Sequence, residues 1–124
     1  MNYVFDTNGV IHFLNETGNF ALLKENDIFL ISFITKIELF VGFKDYEEET
    51  IAENFLKKCR MIYINEEIIQ ETINIRKYFA FKIPDAVIAA TSKVYNAVLI
   101  TSDEGIKRKA NSIDWIDFAE KLNK

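Results

Sequence analysis

A chain of 124 residues, 49% of them hydrophobic and 27% charged, has the composition of one globular domain with a sizeable core, not of a disordered or fibrous protein. Its single cysteine (Cys59) and single histidine (His12) exclude an intramolecular disulfide and a zinc site of the Cys/His type, so a bound metal would need oxygen ligands. The net charge of -4 argues against a protein that coats nucleic acid through its overall field.

The first residues, Met-Asn-Tyr-Val-Phe-Asp, form neither a basic leader nor an uninterrupted apolar block. A transmembrane helix needs about 20 consecutive apolar residues, and the sequence contains no such run. We therefore expect a cytoplasmic protein with no membrane association, in which residues 1–124 form a single domain.

Short apolar runs alternate along the chain with segments of helical periodicity. Continuous apolar runs over 3–5, 28–33 and 98–100 predict parallel strands that are buried on both faces, and 61–64 predicts a weaker strand. Helical spacing of apolar residues predicts helices over 47–59 and 66–81. This alternation is typical of βαβ units, so we predict an α/β domain with three layers and a mostly parallel central sheet.

Two acidic residues stand directly after predicted strands. Asp6 follows the first strand and Asp103 follows the strand that begins at Val98. In an open parallel sheet, ligands bind outside the carboxyl ends of the strands, so both acids are candidate site residues. The alternative is that each caps the helix that follows it, with Ser102 as a second candidate cap beside Asp103.

Two further acids stand near predicted helix starts. Glu38 lies in Thr35-Lys36-Ile37-Glu38, where it either borders a buried face as a site residue or completes a capping box with Thr35. Asp85 follows Pro84 and either points toward the sheet edge or complements the helix dipole from the first turn.

The four acids together indicate a metal site more strongly than any one of them. Two carboxylates about 4 Å apart repel each other by roughly 4 kcal/mol at an effective dielectric near 20. Mg²⁺ offsets such repulsion, because it takes oxygen ligands and is usually held by one or two carboxylates with water and substrate phosphates. Nearby polar side chains would bind the ligand waters or phosphate oxygens: Thr7, Asn8, Thr101 and Ser102.

Four segments occur in an order that is specific in combination: VFDTN at 4–8, SFITKIEL at 32–39, IPDAVIAATS at 83–92 and VLITSD at 98–103. With them the sequence resembles PIN-domain proteins, and most closely the VapC toxins of VapBC toxin–antitoxin systems. The resemblance implies a three-layer α/β/α fold and an endoribonuclease that depends on Mg²⁺ or Mn²⁺. By motif position, it also implies an acidic catalytic and metal-binding quartet: Asp6, Glu38, Asp85 and Asp103.

The same resemblance implies partners. VapC toxins are held inactive by a VapB-like antitoxin and commonly form homodimers, and their substrate is RNA. Basic residues are candidate RNA contacts, although a solvated basic helix face is the alternative reading. These candidates are Arg76, Lys107 and Arg108, together with the neighbouring Lys77 and Lys109. Phe40 and Phe43 are either core residues or part of a groove for a dimer partner or an antitoxin.

Other functions remain as alternatives. Aspartate-nucleophile phosphatases resemble this chain in an acid after the first strand, but they carry a second acid two residues later, where this sequence has Asn8. A nucleophilic pair of His12 and Cys59 lacks any residue that would orient it. The main alternative is a PIN-fold module that binds proteins and has no catalytic activity.

Overall fold

The chain folds as alternating strands and helices. The structure is a computed structural model, and it describes residues 1–16, 24–109 and 113–117. The strands are β1 (Asn2–Phe5), β2 (Ile28–Ser32), β3 (Arg60–Ile62), β4 (Val98–Thr101) and β5 (Trp115–Asp117). The helices are α1 (Thr7–Glu16), α2 (Phe33–Gly42), α3 (Tyr46–Leu56), α4 (Glu66–Tyr78), α5 (Ile83–Val94) and α6 (Glu104–Lys109).

The described strands form one sheet in the order β3-β2-β1-β4-β5, and every neighbouring pair is parallel. The central strand, β1, pairs with β2 on one side and with β4 on the other. The order therefore reverses between β1 and β4, which is the switch point where open α/β sheets bind ligands. All carboxyl ends lie along the same edge of the sheet, so Asp6 and Asp103 follow adjacent strands at that edge.

Both faces of the sheet are covered. Successive strand residues point to opposite faces, and Val4 and Phe5 accordingly belong to two separate core clusters. The first cluster contains Ile68 of α4 and Ala86 to Ala90 of α5, and the second contains Phe13 of α1 and Phe55 of α3. The structure thus confirms the predicted three-layer α/β fold, and the sheet is wholly parallel.

Local capping explains where several helices begin. Asp45 accepts a hydrogen bond from the Glu48 amide at the start of α3, and Asn65 accepts one from the Ile68 amide at the start of α4. Helix α2 begins earlier than the sequence suggests, because Ser32 accepts from the Ile34 amide. Thr35 therefore lies inside α2, and the capping box of Thr35 and Glu38 is excluded.

Some local expectations differ from the structure. Strand β5 was not predicted, since it has only three described residues and Trp115 is largely exposed. The helix predicted over 66–81 ends at Tyr78, and on α4 Ile73 and Tyr78 are exposed while Ile68 and Ile75 are buried. Among the described residues, no helix combines the length and the apolar character needed to cross a membrane.

Candidate metal and nuclease site

Asp6 is the most enclosed acid at the carboxyl edge of the sheet. Only 5% of it is exposed, and its backbone amide donates to the carbonyl of Ile100 in β4. Its Oδ1 accepts from the amide of Gly9 at 2.5 Å, and its Oδ2 accepts from the Thr101 hydroxyl at 2.5 Å. Asp6 therefore does cap α1, and the same carboxylate also contacts the neighbouring strand, so the cap and site readings are not exclusive.

Gly9 allows this close approach. A Cβ atom at position 9 would stand 2.9 Å from Asp6 Oδ1 and 3.3 Å from the Ile100 carbonyl oxygen. This role of Gly9 was not predicted, although a glycine three residues after an aspartate that follows a strand is a detectable signal. Because glycine has no side chain, the backbone at position 9 can approach the Asp6 carboxylate closely, and the Gly9 amide bonds that carboxylate in place of solvent.

The charge of Asp6 is unfavourable in its surroundings. Burial raises the pKa of this carboxyl above its ordinary value, and the negative charges of Asp103 and Asp85 raise it further. The hydrogen bonds from Thr101 and Gly9 act in the opposite direction but do not reverse the shift. Three of the four predicted acids are thus electrostatically coupled at one place.

Thr101 connects the two acids that follow β1 and β4. Its hydroxyl donates to Asp6 and accepts from the Asp103 amide at 3.0 Å, and the residue is fully buried. Asp103 caps α6, because its Oδ1 accepts from the Ile106 amide at 3.0 Å. Ser102, which lies between Thr101 and Asp103 in the chain, is half-buried. One hydroxyl therefore fixes the relative position of both strand ends.

Asp85 lies across a small cavity from the strand ends. It is the third residue of α5 and is half-buried. A cavity of about 140 Å³, called here the acidic cavity, has Asp85 and Asp103 in its wall. The remaining lining residues are Ala80, Phe81, Lys82, Gly105 and Ile106. Both residues thus border a cavity that a small ligand can enter, whereas Asp6 is not one of its lining residues.

Glu38 is joined to the site through Thr7. The Thr7 hydroxyl lies 2.6 Å from Glu38 Oε1 and 3.2 Å from the Thr35 hydroxyl. Thr7 directly follows Asp6, so this contact ties α2 to the start of α1. Glu38 itself is exposed, and Asn8 is also exposed on the first turn of α1.

The donor chemistry at this edge fits a hard divalent cation. The converging groups are carboxylates and hydroxyls, the oxygen ligands that suit Mg²⁺ and Mn²⁺. Within residues 1–16, 24–109 and 113–117, no three His, Cys, Asp or Glu side chains are arranged to hold a metal ion by themselves. An ion held at this edge by one or two carboxylates, with water as its other ligands, would follow the usual manner of Mg²⁺ binding.

Two of the candidate RNA contacts, Arg76 and Lys107, have partners within the protein. Arg76 Nη1 donates to the Phe81 carbonyl at 2.5 Å, which ties the end of α4 to the wall of the acidic cavity. The Lys107 ammonium lies 2.5 Å from Asp117 Oδ2 and 3.2 Å from Glu104 Oε1. The side chain of Arg108 lies outside the described part of the structure.

The free cysteine, Cys59, is partly buried and makes a contact within the protein. Its Sγ donates to the Phe55 carbonyl at 3.5 Å, and burial raises the pKa of the thiol to about 12. A thiol with such a pKa is not ionised near neutral pH and is a poor nucleophile. The geometry gives no support to a nucleophilic pair of His12 and Cys59.

Comparison with known proteins identifies the class. The family model for the PIN domain matches residues 3–112, and the chain therefore belongs to the PIN domain family. A comparison with curated protein sequences gave no match.

Solved structures of toxin–antitoxin complexes contain similar chains. A chain of VapBC2 from Rickettsia felis, bound to a promoter DNA fragment, has a TM-score of 0.83 and 21% identity, covering 94% of this chain and 98% of that one. A chain of VapBC-1 from nontypeable Haemophilus influenzae has a TM-score of 0.80 and 25% identity, and the match covers 96% of this chain and 99% of that one. A chain of a toxin–antitoxin complex from Klebsiella pneumoniae has a TM-score of 0.73 and 28% identity, and the match covers 92% of this chain and 95% of that one. These matches confirm the predicted resemblance to PIN domains and VapC toxins.

Proposed function

We propose that this chain is a metal-dependent endoribonuclease and the toxin of a toxin–antitoxin pair. The observation that carries the proposal is the buried Asp6 carboxylate, held by Thr101 and coupled to the charges of Asp103 and Asp85. A buried acid whose pKa is raised by burial and by neighbouring acids is typical of functional sites. The family match supports a nuclease role, and the solved toxin–antitoxin complexes support the biological setting.

In this proposal the acids hold Mg²⁺ or Mn²⁺. When bound, the cation supplies an activated water and neutralises charge on the phosphodiester. Asp6 provides a carboxylate fixed by two hydrogen bonds, while Asp85 and Asp103 face the acidic cavity where a phosphate group can enter. Glu38, held by Thr7, is exposed and completes the acidic quartet from α2.

We propose a VapB-like antitoxin as a protein partner. A groove of about 240 Å³ opens between α1, α2 and α3, with apolar walls that include Leu14, Leu39 and Phe43. Glu38 and Glu48 also line this groove, so it suits a segment that combines apolar and basic side chains. Phe43, which lines the groove, packs edge to face on Phe40 with 5.1 Å between the ring centres.

We also propose that the chain forms a homodimer. Helix α4 exposes Ile69 and Ile73, and Ile83 at the start of α5 is 58% exposed. Exposed apolar residues that lie together on adjacent helices often mark a protein interface. Light scattering on the purified chain tests this directly, and Ile73→Asp is expected to shift a dimer to monomer.

The proposed activity is tested with purified chain, free of antitoxin, and a pool of single-stranded and structured RNAs. Cleavage should need Mg²⁺ or Mn²⁺, stop in EDTA, and be lost in Asp85→Asn. The matched control is Asp114→Asn, which makes the same change at an exposed residue before β5, at the opposite edge of the sheet.

Removing the charge of Asp85 should leave the metal-free thermal midpoint unchanged or higher, because it relieves like-charge repulsion at Asp6. Equal cleavage by Asp85→Asn and Asp114→Asn would contradict the nuclease site. No cleavage by a folded, metal-bound wild type would instead favour a PIN-fold module that only binds proteins.

A further inference from the structure

Among the described residues that line the acidic cavity, Lys82 carries a positive charge and Asp85 and Asp103 carry negative charges. Lys82 is exposed, and its ammonium group makes no hydrogen bond or ion pair with the residues that the structure describes. A free cation thus lies beside two carboxylates, in a cavity large enough for a phosphate group.

Two other described cations near this edge, Lys107 and Arg76, have protein partners. Lys107 is bound between Asp117 and Glu104, and its ammonium also lies 5.3 Å from the centre of the Trp115 ring. Arg76 donates to the Phe81 carbonyl, one residue before Lys82. These contacts stabilise the surrounding walls, and Lys82 is the cation, of those whose side chains the structure describes in the wall of the acidic cavity, that is available to a ligand.

The position of Lys82 is not explained by local helix stability. Lys82 is the N-cap residue of α5, where its side chain makes no capping hydrogen bond. Ser, Thr, Asp and Asn stabilise this position, whereas a positive charge is unfavourable near the positive end of the helix dipole. A residue that breaks a local rule without a structural gain is a candidate for a functional role.

We propose that Lys82 binds a phosphate group of the RNA strand adjacent to the cleaved bond. This inference rests on the proposed nuclease function and adds a substrate-binding residue to it. The acids would otherwise repel the RNA backbone, and the chain as a whole carries a net charge of -4. Lys82 supplies a local attraction at the site where the negative charges are concentrated.

Salt-dependent RNA binding separates this role from a general charge effect. Binding of a fluorescent single-stranded RNA is measured in EDTA, so that no cleavage occurs, for wild type, Lys82→Gln, Lys82→Arg and Lys57→Gln. Lys57 is an exposed lysine at the end of α3, at the opposite edge of the sheet, and its substitution changes the net charge equally. Thermal midpoints establish folding, and Lys82→Gln should not lower them because it removes an unfavourable charge from the N-cap.

Each phosphate contact on a single strand contributes about 0.7 to the slope of log K against log salt. We expect Lys82→Gln to reduce the slope by about that amount and to weaken binding roughly fivefold to tenfold at low salt, with Lys82→Arg near wild type. Lys57→Gln should retain the wild-type slope. Equal slopes for Lys82→Gln and Lys57→Gln, or no salt-dependent binding by wild type, would overturn the proposal.

Cleavage assays distinguish failure of this inference from failure of the proposed function. If wild type cleaves RNA and Lys82→Gln retains both its slope and its KM, the Lys82 proposal fails and the nuclease assignment stands. If wild type binds RNA with the Lys82-dependent slope but never cleaves it with Mg²⁺ or Mn²⁺, the nuclease assignment fails and Lys82 remains a phosphate-binding residue.

Discussion

The hydroxyl of Thr101 donates to Asp6 Oδ2 across 95 positions of sequence and joins the ends of two adjacent parallel strands. The same oxygen accepts the Asp103 amide. Because Thr101 is fully buried, neither neighbour can exchange it for water without a local opening. The relative position of Asp6 and Asp103 is therefore fixed by a residue of the folded core.

Replacing Thr101 by valine should destabilise the protein. The change keeps the shape of the side chain but leaves Asp6 Oδ2 without the Thr101 donor and removes the hydroxyl acceptor of the Asp103 amide. Unsatisfied buried groups cost about 1–3 kcal/mol, so the free energy of unfolding should fall by about that amount in metal-free urea titrations. Thr101→Ser keeps the hydroxyl and removes only a methyl group, so it should lower the free energy of unfolding by only about 1 kcal/mol. Equal losses for the two variants would contradict this role.

Metal-free stability should depend on pH through Asp6. Its pKa is raised in the folded state, first by burial and then by neighbouring acids, so the folded chain binds the Asp6 proton more tightly than the unfolded chain does. The Asp6 contribution to the free energy of unfolding therefore decreases as pH rises from the unfolded pKa through the folded pKa, and is constant above it.

Asp6→Asn lacks this titration and retains a side chain that can cap α1. In EDTA, the difference in unfolding free energy between Asp6→Asn and wild type should grow in favour of the variant over that pH range. Urea titrations at closely spaced pH values measure the difference. A difference that is independent of pH would show that Asp6 titrates alike in the folded and unfolded states.

Thr7 and Glu38 should act as a unit in cleavage. The hydrogen bond from Thr7 positions the Glu38 carboxylate. We therefore expect Thr7→Val to slow cleavage about tenfold in the wild-type background. In a Glu38→Gln background the same change should slow cleavage little further. A double-mutant cycle on kcat/KM measures this coupling. Thr50→Val is the control, because within the described part of the chain the Thr50 hydroxyl bonds its own helix, at the Tyr46 carbonyl. Strictly additive effects would exclude the positioning role.

Cys59 should react slowly with iodoacetamide. Since burial raises its pKa to about 12, alkylation of the folded chain at pH 8 should be roughly a hundredfold or more slower than that of the urea-unfolded chain. Mass spectrometry follows the modification. Cys59→Ala should leave RNA cleavage unchanged. Rapid labelling of folded protein would restore the possibility of a reactive thiol.

The fold could be predicted largely because its strands are continuous apolar runs. Both faces of β2 and β4 are buried, which imposes Val, Ile, Leu and Phe at successive positions. Strand β5 lies at the sheet edge with partly exposed residues, so its three-residue pattern carries little signal. The start of α2 was misread because a serine cap and a Thr-x-x-Glu pattern compete within seven residues.

The site was predictable where it depends on topology alone. Asp6 and Asp103 follow strands that a parallel sheet brings to one edge, so their proximity could be expected. The contact of Thr7 with Glu38 depends on how α1 and α2 pack, and the environment of Lys82 depends on the chain between α4 and α5. Sequence periodicity carries no information about either arrangement.

Mn²⁺ binding tests the central claim, that the acids at the carboxyl edge of the sheet form a metal centre. Calorimetric titration of the purified chain, with the folded state checked by circular dichroism, should show binding whose Kd rises at least about tenfold in Asp6→Asn and is unchanged in Asp114→Asn. Equal affinity in wild type and Asp6→Asn would contradict the metal centre and leave Asp6 as a helix cap.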